Sequence, residues 1–184
     1  MYLLGNTDRI FQQILLCQLI SVWFRGIILL RWKPGFIDMK SIRKMEEQDR
    51  QNVLEMMRVF YASQAVFTNG SEEIFRTDID HCIGENPYLE GFVIENQDTI
   101  IGYAMVAKSF STEFGKPCIW IEDLYVKDEY RGLGIGSDFL RFVEAQYPHS
   151  LLRLEVEAEN KRAVHVYKKC GYDVLPYMEM KKSI

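Results

Sequence analysis

The sequence predicts a single α+β domain over residues 39–184, with a mixed sheet that carries helices on both faces. From Met39 onward, short apolar or alternating segments typical of strands are interspersed with segments whose apolar residues recur at helical spacing. Consecutive predicted strands are joined in part by polar turns and in part by helices, which indicates both antiparallel and parallel neighbours. A composition of 48% hydrophobic and 26% charged residues is that of an ordinary globular domain.

The first half of this domain predicts a strand, two helices and a hairpin. The segment 41–45 is a strand candidate, and an acidic helix start with apolar residues at helical spacing follows it. A turn at 68–71 opens the second helix, which ends at Gly84. The segments 92–95 and 100–107, separated by a polar turn, predict the hairpin.

The second half alternates strands and helices. The predicted elements are a strand at 118–126, a glycine-rich turn, a helix to about Gln146, a strand at 151–156, a helix at 161–170 and a closing strand pair around 172–180.

The glycine-rich turn reads Arg-Gly-Leu-Gly-Ile-Gly-Ser at 131–137 and precedes a predicted helix. Glycines let the backbone come close to a ligand, and the free amide groups of a helix N-terminus favour an anion. A dinucleotide fingerprint is excluded because Ser137 stands where the last glycine would be, and the Gly-Lys-Ser/Thr end of a P-loop is missing too. On spacing alone, the segment is either an anion cradle or a plain tight turn.

Two motifs carry a family resemblance. The segment 131–136 resembles the Q/R-x-x-G-x-G/A signature of the GNAT superfamily, the acetyl-CoA-dependent N-acetyltransferases. The segment 160–172 resembles the second signature of that family, with an Asn, an Ala three residues later, a Tyr four after that and a Gly-aromatic close. Glu122 and Asp123 are similar to the acidic pair of diamine (spermidine/spermine) N-acetyltransferases.

The resemblance implies a GNAT-like fold and acetyl-CoA as the co-substrate, with no metal. The sheet is then expected to be mostly antiparallel, with six to seven strands, and splayed between 118–126 and 151–156 to form the cofactor cleft. Backbone groups are expected to hold the pyrophosphate and the pantetheine arm. The residues implied to bind the cofactor are Leu124, Tyr125, Val126, Arg131, Gly132, Leu133, Gly134, Ile135, Gly136, Ser137 and Asn160.

The predicted base is Glu122, acting directly or through water. An alkyl ammonium titrates near pH 10.4 and must lose a proton before its nitrogen can attack a thioester. On an ideal strand Asp123 shares a face with Ile121 and Tyr125, whereas Glu122 lies on the opposite face. A bulge would change which acid is exposed, so Asp123 is the second candidate, and both acids are candidate substrate contacts. For either one, an ordinary salt bridge or helix cap is the structural alternative.

Tyr167 is the predicted hydrogen-bond donor to the departing thiolate, because the resemblance places it near the thioester sulfur. A tyrosine titrates near pH 10 and an alkyl thiol near 8.5, so complete proton transfer is uphill by about 2 kcal/mol. Without the family signature, Tyr167 would be interpreted as a core residue on the helix face of Ala163 and Val164.

Residues 1–38 are predicted to be an N-terminal extension outside the domain. Apolar residues dominate 10–30, which as a helix would span about 31 Å, but Arg25 and three glutamines interrupt the run. An arginine in lipid costs about 2.5–3.5 kcal/mol on insertion scales, so a membrane span is not expected. A membrane would be a partner only if residues 10–30 belong to the native protein and are inserted. Three interpretations stay open: a helix that binds a membrane or a partner, a helix packed on the domain, and a non-native segment before Met39.

Charge and cysteine usage exclude several function classes. With 22 basic and 26 acidic residues, the chain has a net charge of −4 and no basic surplus for binding nucleic acid. Residues 39–184 alone carry a net charge of −6, which favours a cationic acceptor. The four cysteines form no CxxC pair and only three histidines occur, so neither a zinc site nor a disulfide framework is expected, and the cytoplasm is the expected compartment.

Together with these residues, the resemblance implies an enzyme that transfers the acetyl group of acetyl-CoA to a primary amine of a small molecule or peptide. The amine is expected to attack the thioester directly. The alternative is a non-catalytic acyl-CoA-binding sensor or interaction module with the same fold. The presence of both Glu122 and Tyr167 favours the enzyme. A homodimer and the identity of the acceptor stay open.

Overall fold

The computed structural model describes residues 28–29 and 40–183, which form one sheet and four helices. The strands are β1 (Ile28–Leu29), β2 (Lys40–Lys44), β3 (Leu89–Asn96), β4 (Thr99–Ser111), β5 (Lys116–Val126) and β6 (Leu151–Leu154). The helices are α1 (Arg50–Tyr61), α2 (Glu72–Ile83), α3 (Ile135–Gln146) and α4 (Lys161–Lys169). Apart from β1, the predicted extension 1–38 and its apolar segment lie outside the described residues.

The sheet is mixed and mostly antiparallel, as predicted. Its strands lie in the order β1 to β6, and each is antiparallel to the next except β5 and β6, which are parallel. The turn between β3 and β4 places Gln97 and Asp98 at φ values of 48° and 64°, the left-handed conformation that two-residue hairpin turns require. Parallel neighbours need a crossover connection, and α3 supplies it between β5 and β6.

The strand count differs from the expectation at the C-terminus. Five strands have four or more residues, and the two-residue β1 adds a sixth at one edge. The closing strand pair predicted around 172–180 is wrong, because residues 172–183 form neither helix nor strand. Pro176 has no N–H to donate to a ladder, and Val174, Met178 and Met180 are exposed rather than packed.

Helices cover both faces of the sheet, as predicted, and each face has its own apolar core. The α1/α2 face packs Val53, Leu54 and Met57 of α1 and Phe75 and Ile79 of α2 on Tyr103, Met105 and Tyr125 of the sheet. The α3 face packs Phe139, Leu140 and Val143 on Ile94, Ala104, Val106 and Ile121. β5 therefore contributes side chains to two cores, one on each face of the sheet.

The start of α1 is tied to the sheet by a buried ion pair. Arg43 of β2 donates to both oxygens of Asp49, at 2.7 and 2.8 Å, and to Glu95 of β3 at 2.7 Å. Asp49 also accepts the backbone N–H of Glu46 and is only 1% exposed. The two carboxylates raise the pKa of the Arg43 guanidinium, which stays charged. This network fixes the start of α1 against β2 and β3, and α1 runs from there towards β5.

Candidate active site

A bulge in β5 lies at Glu122, the predicted base, and next to Asp123, the second candidate for that role. In the pairing with β4, Met105 lies opposite Asp123 and Val106 lies opposite Ile121, so Glu122 is the extra residue. Ile121 consequently joins the core of the α3 face, whereas Asp123 turns to the α1/α2 face. The expectation that Asp123 shares a face with Ile121 is therefore wrong, because the bulge interrupts the two-residue alternation of the strand.

Asp123 is buried between two tyrosine hydroxyls, with 4% of its surface exposed. Tyr103 donates to its Oδ2 over 2.9 Å, and Tyr61 donates to its Oδ1 over 3.1 Å. Burial raises the pKa of Asp123 to about 6, while the two hydrogen bonds act in the opposite direction. Burial also raises the pKa of both tyrosines, so they stay protonated as donors at neutral pH. Sequence reasoning missed both tyrosines, since they lie 62 and 20 positions from Asp123 along the chain.

Glu122 is exposed at the bulge. Partial loss of hydration raises the pKa of its carboxyl above the ordinary value, and the negative charges of Glu179 and Asp78 act in the same direction. The pKa of Glu155, which follows β6, is raised by burial first and then by Glu179 and Glu122. An accessible carboxylate with its pKa moved towards neutrality has the properties required of a general base.

The glycine-rich turn after β5 has an open backbone surface. Gly132 and Gly134 have φ values of 87° and 82°, which glycine adopts without strain. No side chain caps α3, so the amide groups of its first turn are available to an anion. A methyl group built on Gly134 or Gly136 would meet no heavy atom within 4 Å. The open space and the free donors fit a diphosphate.

Arg131, the first residue of the motif, connects the turn to the end of β5. Its Nε donates to the carbonyl oxygen of Val126 over 2.8 Å, and its guanidinium pairs with Asp128 at 2.6 Å. The guanidinium carbon also lies 5.4 Å from the ring centroid of Tyr125. These contacts give Arg131 a structural role in holding the turn against the strand.

Arg162 of α4 brings a positive charge to the same turn. Its Nη2 lies 3.5 Å from the position that a Cβ on Gly132 would occupy. Arg162 is otherwise exposed. Its contact with the turn arises because α4 returns beside Gly132.

Tyr167 lies on α4 and packs against the core of the α3 face. Its ring centroid is 6.1 Å from that of Tyr172, and burial raises the pKa of its hydroxyl, which therefore keeps its proton. Asn160 caps the same helix, since its Oδ1 accepts the N–H of Ala163 over 3.1 Å. Among the described residues 40–183, no hydrogen bond joins Tyr167 of α4 to Glu122 or Asp123 of β5.

The pairing of β5 and β6 ends before β5 does. Cys118–Ile121 pair with Leu151–Leu154, and β5 then continues to Val126 without a β6 partner in the part of the chain that the structure describes. Leu124 and Val126, the residues implied to pair with the cofactor arm, lie in this unpaired stretch. Tyr125 between them is 6% exposed and its ring lies 6.0 Å from that of Tyr103, and the register of the ladder directs its backbone groups to β4 rather than to the open edge.

Within the described ranges 28–29 and 40–183, no group of three or more His, Cys, Asp and Glu side chains is arranged to hold a metal ion. None of the helices in these ranges has the length and the apolar character of a membrane span.

Comparisons with known proteins give a family for this chain. The acetyltransferase (GNAT) family model matches residues 53–172. A thialysine N-epsilon-acetyltransferase of Bos taurus is 36% identical over 143 residues, which cover 71% of this chain and 82% of that protein. The thialysine N-epsilon-acetyltransferase of Mus musculus is 31% identical with the same coverage.

Solved structures share the fold. A structure from Clostridium difficile 630 described as a possible acetyltransferase has a TM-score of 0.68 at 17% identity, covering 79% of this chain and 97% of that chain. The aminoglycoside N-acetyltransferase AAC(6')-Iy in complex with CoA has a TM-score of 0.64 at 12% identity, covering 82% of this chain and 99% of that chain. At these identities the likeness establishes the arrangement of elements.

Proposed function

This chain belongs to the acetyltransferase (GNAT) family, and we propose that it acetylates the primary amine of a small cationic acceptor. It is an acetyl-CoA-dependent N-acetyltransferase, and the comparisons give no support to the non-catalytic sensor. The observation that carries the proposed acceptor class is the exposed Glu122 at the bulge of β5, surrounded by other carboxylates.

The carboxylates around Glu122 favour an acceptor with a positive charge besides the reacting amine. Asp78, Glu155 and Glu179 come from α2, the segment after β6 and the C-terminal segment, and they lie close enough to affect the pKa of one another or of Glu122. A cationic acceptor would reduce this mutual repulsion on binding. The relatives named for thialysine act on an ε-amine, so a lysine-like amine is the first acceptor class to test.

We propose the cofactor site that the two motifs imply. Acetyl-CoA supplies the thioester and its acetyl group. The amide groups of 131–137 hold the diphosphate, and Arg162 adds a positive charge to them. Backbone groups of Leu124 and Val126 pair with the pantetheine arm in a cleft between β5 and β6. The Asn160 amide contacts the cofactor from the start of α4.

Glu122 and Tyr167 act on protons at the two ends of the reaction. Glu122 takes a proton from the acceptor ammonium, and the free amine nitrogen then attacks the thioester carbonyl carbon. As the new C–N bond forms and the C–S bond breaks, the hydroxyl of Tyr167 donates a hydrogen bond to the departing thiolate. Thiolate is a good leaving group, so this donation assists the step without being essential to it. The attacking nitrogen carries two protons once the C–N bond has formed; one of them leaves to water and the other stays on the amide.

Thiol release from acetyl-CoA, measured with a panel of amines, tests this proposal. We expect thialysine, lysine and diamines to be acetylated faster than peptide amines and than primary amines that carry no second positive charge. Tight binding of acetyl-CoA without accelerated transfer to any amine would contradict it and support the sensor. The cytoplasmic location and the domain boundary at residue 39 stay predictions, and a homodimer stays open.

The base is tested with Glu122→Gln, and Glu73→Gln at the exposed start of α2 is the matched control. We expect Glu122→Gln to lower kcat at least about a hundredfold and to remove the acid limb of the pH profile, with the control unchanged. The assignment is wrong if Glu122→Gln keeps the wild-type rate and pH profile while Asp123→Asn abolishes both.

A further inference from the structure

Tyr103 and Asp123, which are buried, and Tyr61, which is half-buried, form a cluster next to the proposed base, and the proposed reaction uses none of the three. We call this cluster the Asp123 clasp. Tyr103 lies on β4, Asp123 on β5 and Tyr61 at the last position of α1. Their hydroxyl–carboxylate hydrogen bonds of 2.9 and 3.1 Å therefore join two strands and a helix at a single side chain.

We propose that Asp123 is a positioning residue, which the hydroxyls of Tyr61 and Tyr103 hold in place so that the bulge presents Glu122 to the acceptor. This inference rests on the proposed role of Glu122 as the base. It removes Asp123 from the candidates for proton transfer and from the candidate substrate contacts, and it adds two tyrosines to the residues that determine the rate.

The geometry excludes direct proton transfer from an acceptor to Asp123. Each carboxylate oxygen already accepts a hydrogen bond from a tyrosine, and only 4% of the residue is exposed. An oxygen of the base must approach within about 2.6–3.2 Å of the atom that carries the proton, directly or through one water. Glu122 is exposed one residue away, so the same bulge withdraws one acid and presents the other.

The clasp is also what keeps the bulge in one conformation. An extra residue in a strand disrupts the local ladder, so the bulged segment needs other contacts to fix its direction. Tyr103 is fully buried and pairs with Tyr125 across the strands, which makes its hydroxyl a rigid donor. Without the clasp, Glu122 would sample directions away from the acceptor, and a displacement of about 1 Å can cost about a hundredfold in rate.

Tyr61 extends the clasp to the connection between α1 and α2. Its ring lies 5.0 Å from that of Phe75, and a Cβ on Gly70 would lie 2.3 Å from the Phe75 ring and 3.3 Å from Tyr61. Gly70 has a φ of 61°, so the backbone of the connection comes close to both rings where only glycine fits. The loop 62–71 is thereby anchored on the residue that holds Asp123.

The groups around the clasp act on the pKa of Asp123 with opposite signs. Asp78 of α2 and the neighbouring Glu122 add negative charge, whereas the two tyrosines donate hydrogen bonds to the carboxylate. Keeping a carboxylate at this position is unfavourable for stability, because burial opposes its charge. A buried acid that holds one tyrosine hydroxyl on each oxygen, beside a base, is better explained by the direction that it gives to that base than by stability.

The test compares kcat, the KM of each substrate and the pH profile in Asp123→Asn, Asp123→Leu, Tyr61→Phe and Tyr103→Phe. We expect Asp123→Asn, which keeps an oxygen acceptor, to lower kcat about tenfold and retain the acid limb that Glu122 produces. We expect Asp123→Leu, which leaves both hydroxyls without an acceptor, to lower kcat about a hundredfold. Each tyrosine variant should lower kcat about tenfold with the KM of acetyl-CoA unchanged.

Tyr147→Phe is the matched control, because Tyr147 also donates to a partly buried carboxylate, that of Glu90, away from the site. It should change stability without altering kcat or the pH profile. If Tyr103→Phe does not fold, Tyr61→Phe at the helix end still tests the clasp.

Three results would overturn the inference. Asp123→Asn and Asp123→Leu that are equally inactive and lack the acid limb would make Asp123 the base. Wild-type kcat in both tyrosine variants would show that the clasp does not direct Glu122, as would a loss in Tyr147→Phe equal to theirs. A failure of the proposed function itself is distinguishable, because wild-type protein would then show no amine-dependent thiol release.

Discussion

The hydroxyl of Tyr103 donates a 2.9 Å hydrogen bond to Oδ2 of Asp123, and both residues are buried in the core of the α1/α2 face. Even with this bond and that of Tyr61, burial raises the pKa of Asp123 to about 6. The folded protein therefore binds this proton more tightly than the unfolded chain, in which an aspartate titrates near 3.9. This difference in pKa sets the direction in which the free energy of unfolding changes with pH.

We expect the contribution of Asp123 to the free energy of unfolding to decrease as the pH rises from about 4 to about 6. A difference of about two pKa units corresponds to on the order of 3 kcal/mol. Asp123→Asn should therefore gain stability relative to wild type by roughly that amount between pH 4 and pH 7, as measured by urea unfolding. A difference between the two proteins that is the same at both pH values would contradict the elevated pKa.

Tyr167→Phe should slow turnover by about ten- to a hundredfold without abolishing it. The hydroxyl keeps its proton, because burial raises its pKa, and the leaving thiolate gains only a hydrogen bond from it. Steady-state kinetics and acetyl-CoA titration check this, with the dissociation constant expected to stay at its wild-type value. A decrease of less than twofold in kcat would remove Tyr167 from the reaction.

Tyr172→Phe is the control for that variant, since the two rings are 6.1 Å apart. The Tyr172 hydroxyl is buried and has no hydrogen-bond partner among the described residues. Its removal should leave kcat unchanged and raise the free energy of unfolding by about 1 kcal/mol.

Gly134→Ala should weaken acetyl-CoA binding and destabilise the protein by about 1–2 kcal/mol, because Gly134 has a φ of 82°. Gly136→Ala is the matched control inside α3, where the added methyl meets open space. The family signature accepts Gly or Ala there, so this variant should bind acetyl-CoA normally and gain about 0.5–1 kcal/mol. Calorimetry and thermal unfolding of both variants decide the matter; equal effects would show that the backbone conformation at Gly134 is not what the cofactor requires.

Arg162→Gln should raise the KM of acetyl-CoA about three- to tenfold and leave kcat unchanged, because its charge lies beside the turn at Gly132. The effect should be smaller at high ionic strength, since Arg162 is exposed. Lys169→Gln at the end of the same helix should show neither change. Equal shifts in the two variants would mean that α4 acts only through its net charge.

The motifs identified the family, whereas periodicity alone predicted the wrong face for Asp123. The positive φ values at Gly132 and Gly134 and the hydrogen bond between Asn160 and Ala163 are local features, because each depends on residues a few positions apart. The bulge at Glu122 depends on how β4 pairs with β5, which no single segment of sequence encodes. The sequence could therefore name a bulge as an alternative but could not place it.

Contacts between residues far apart in the sequence could not be predicted either, because they also depend on how the elements pack. Tyr61 and Asp123 meet because α1 crosses β5, and Arg162 meets Gly132 because α4 returns beside the turn. The segment around Tyr177 shows the opposite error: its aromatic and apolar residues predict a strand, but its hydroxyl instead bonds Glu113 in the β4–β5 loop over 2.7 Å. Aromatic and apolar residues form a strand only where the edge of a neighbouring strand is free to pair with them.

The early end of the β5–β6 pairing has a practical consequence for handling the protein. An unpaired strand edge is a template on which another chain can add, so concentrated samples without cofactor are expected to self-associate through this region. Purification and storage with coenzyme A should keep the preparation monodisperse, and light scattering with and without it would reveal the difference.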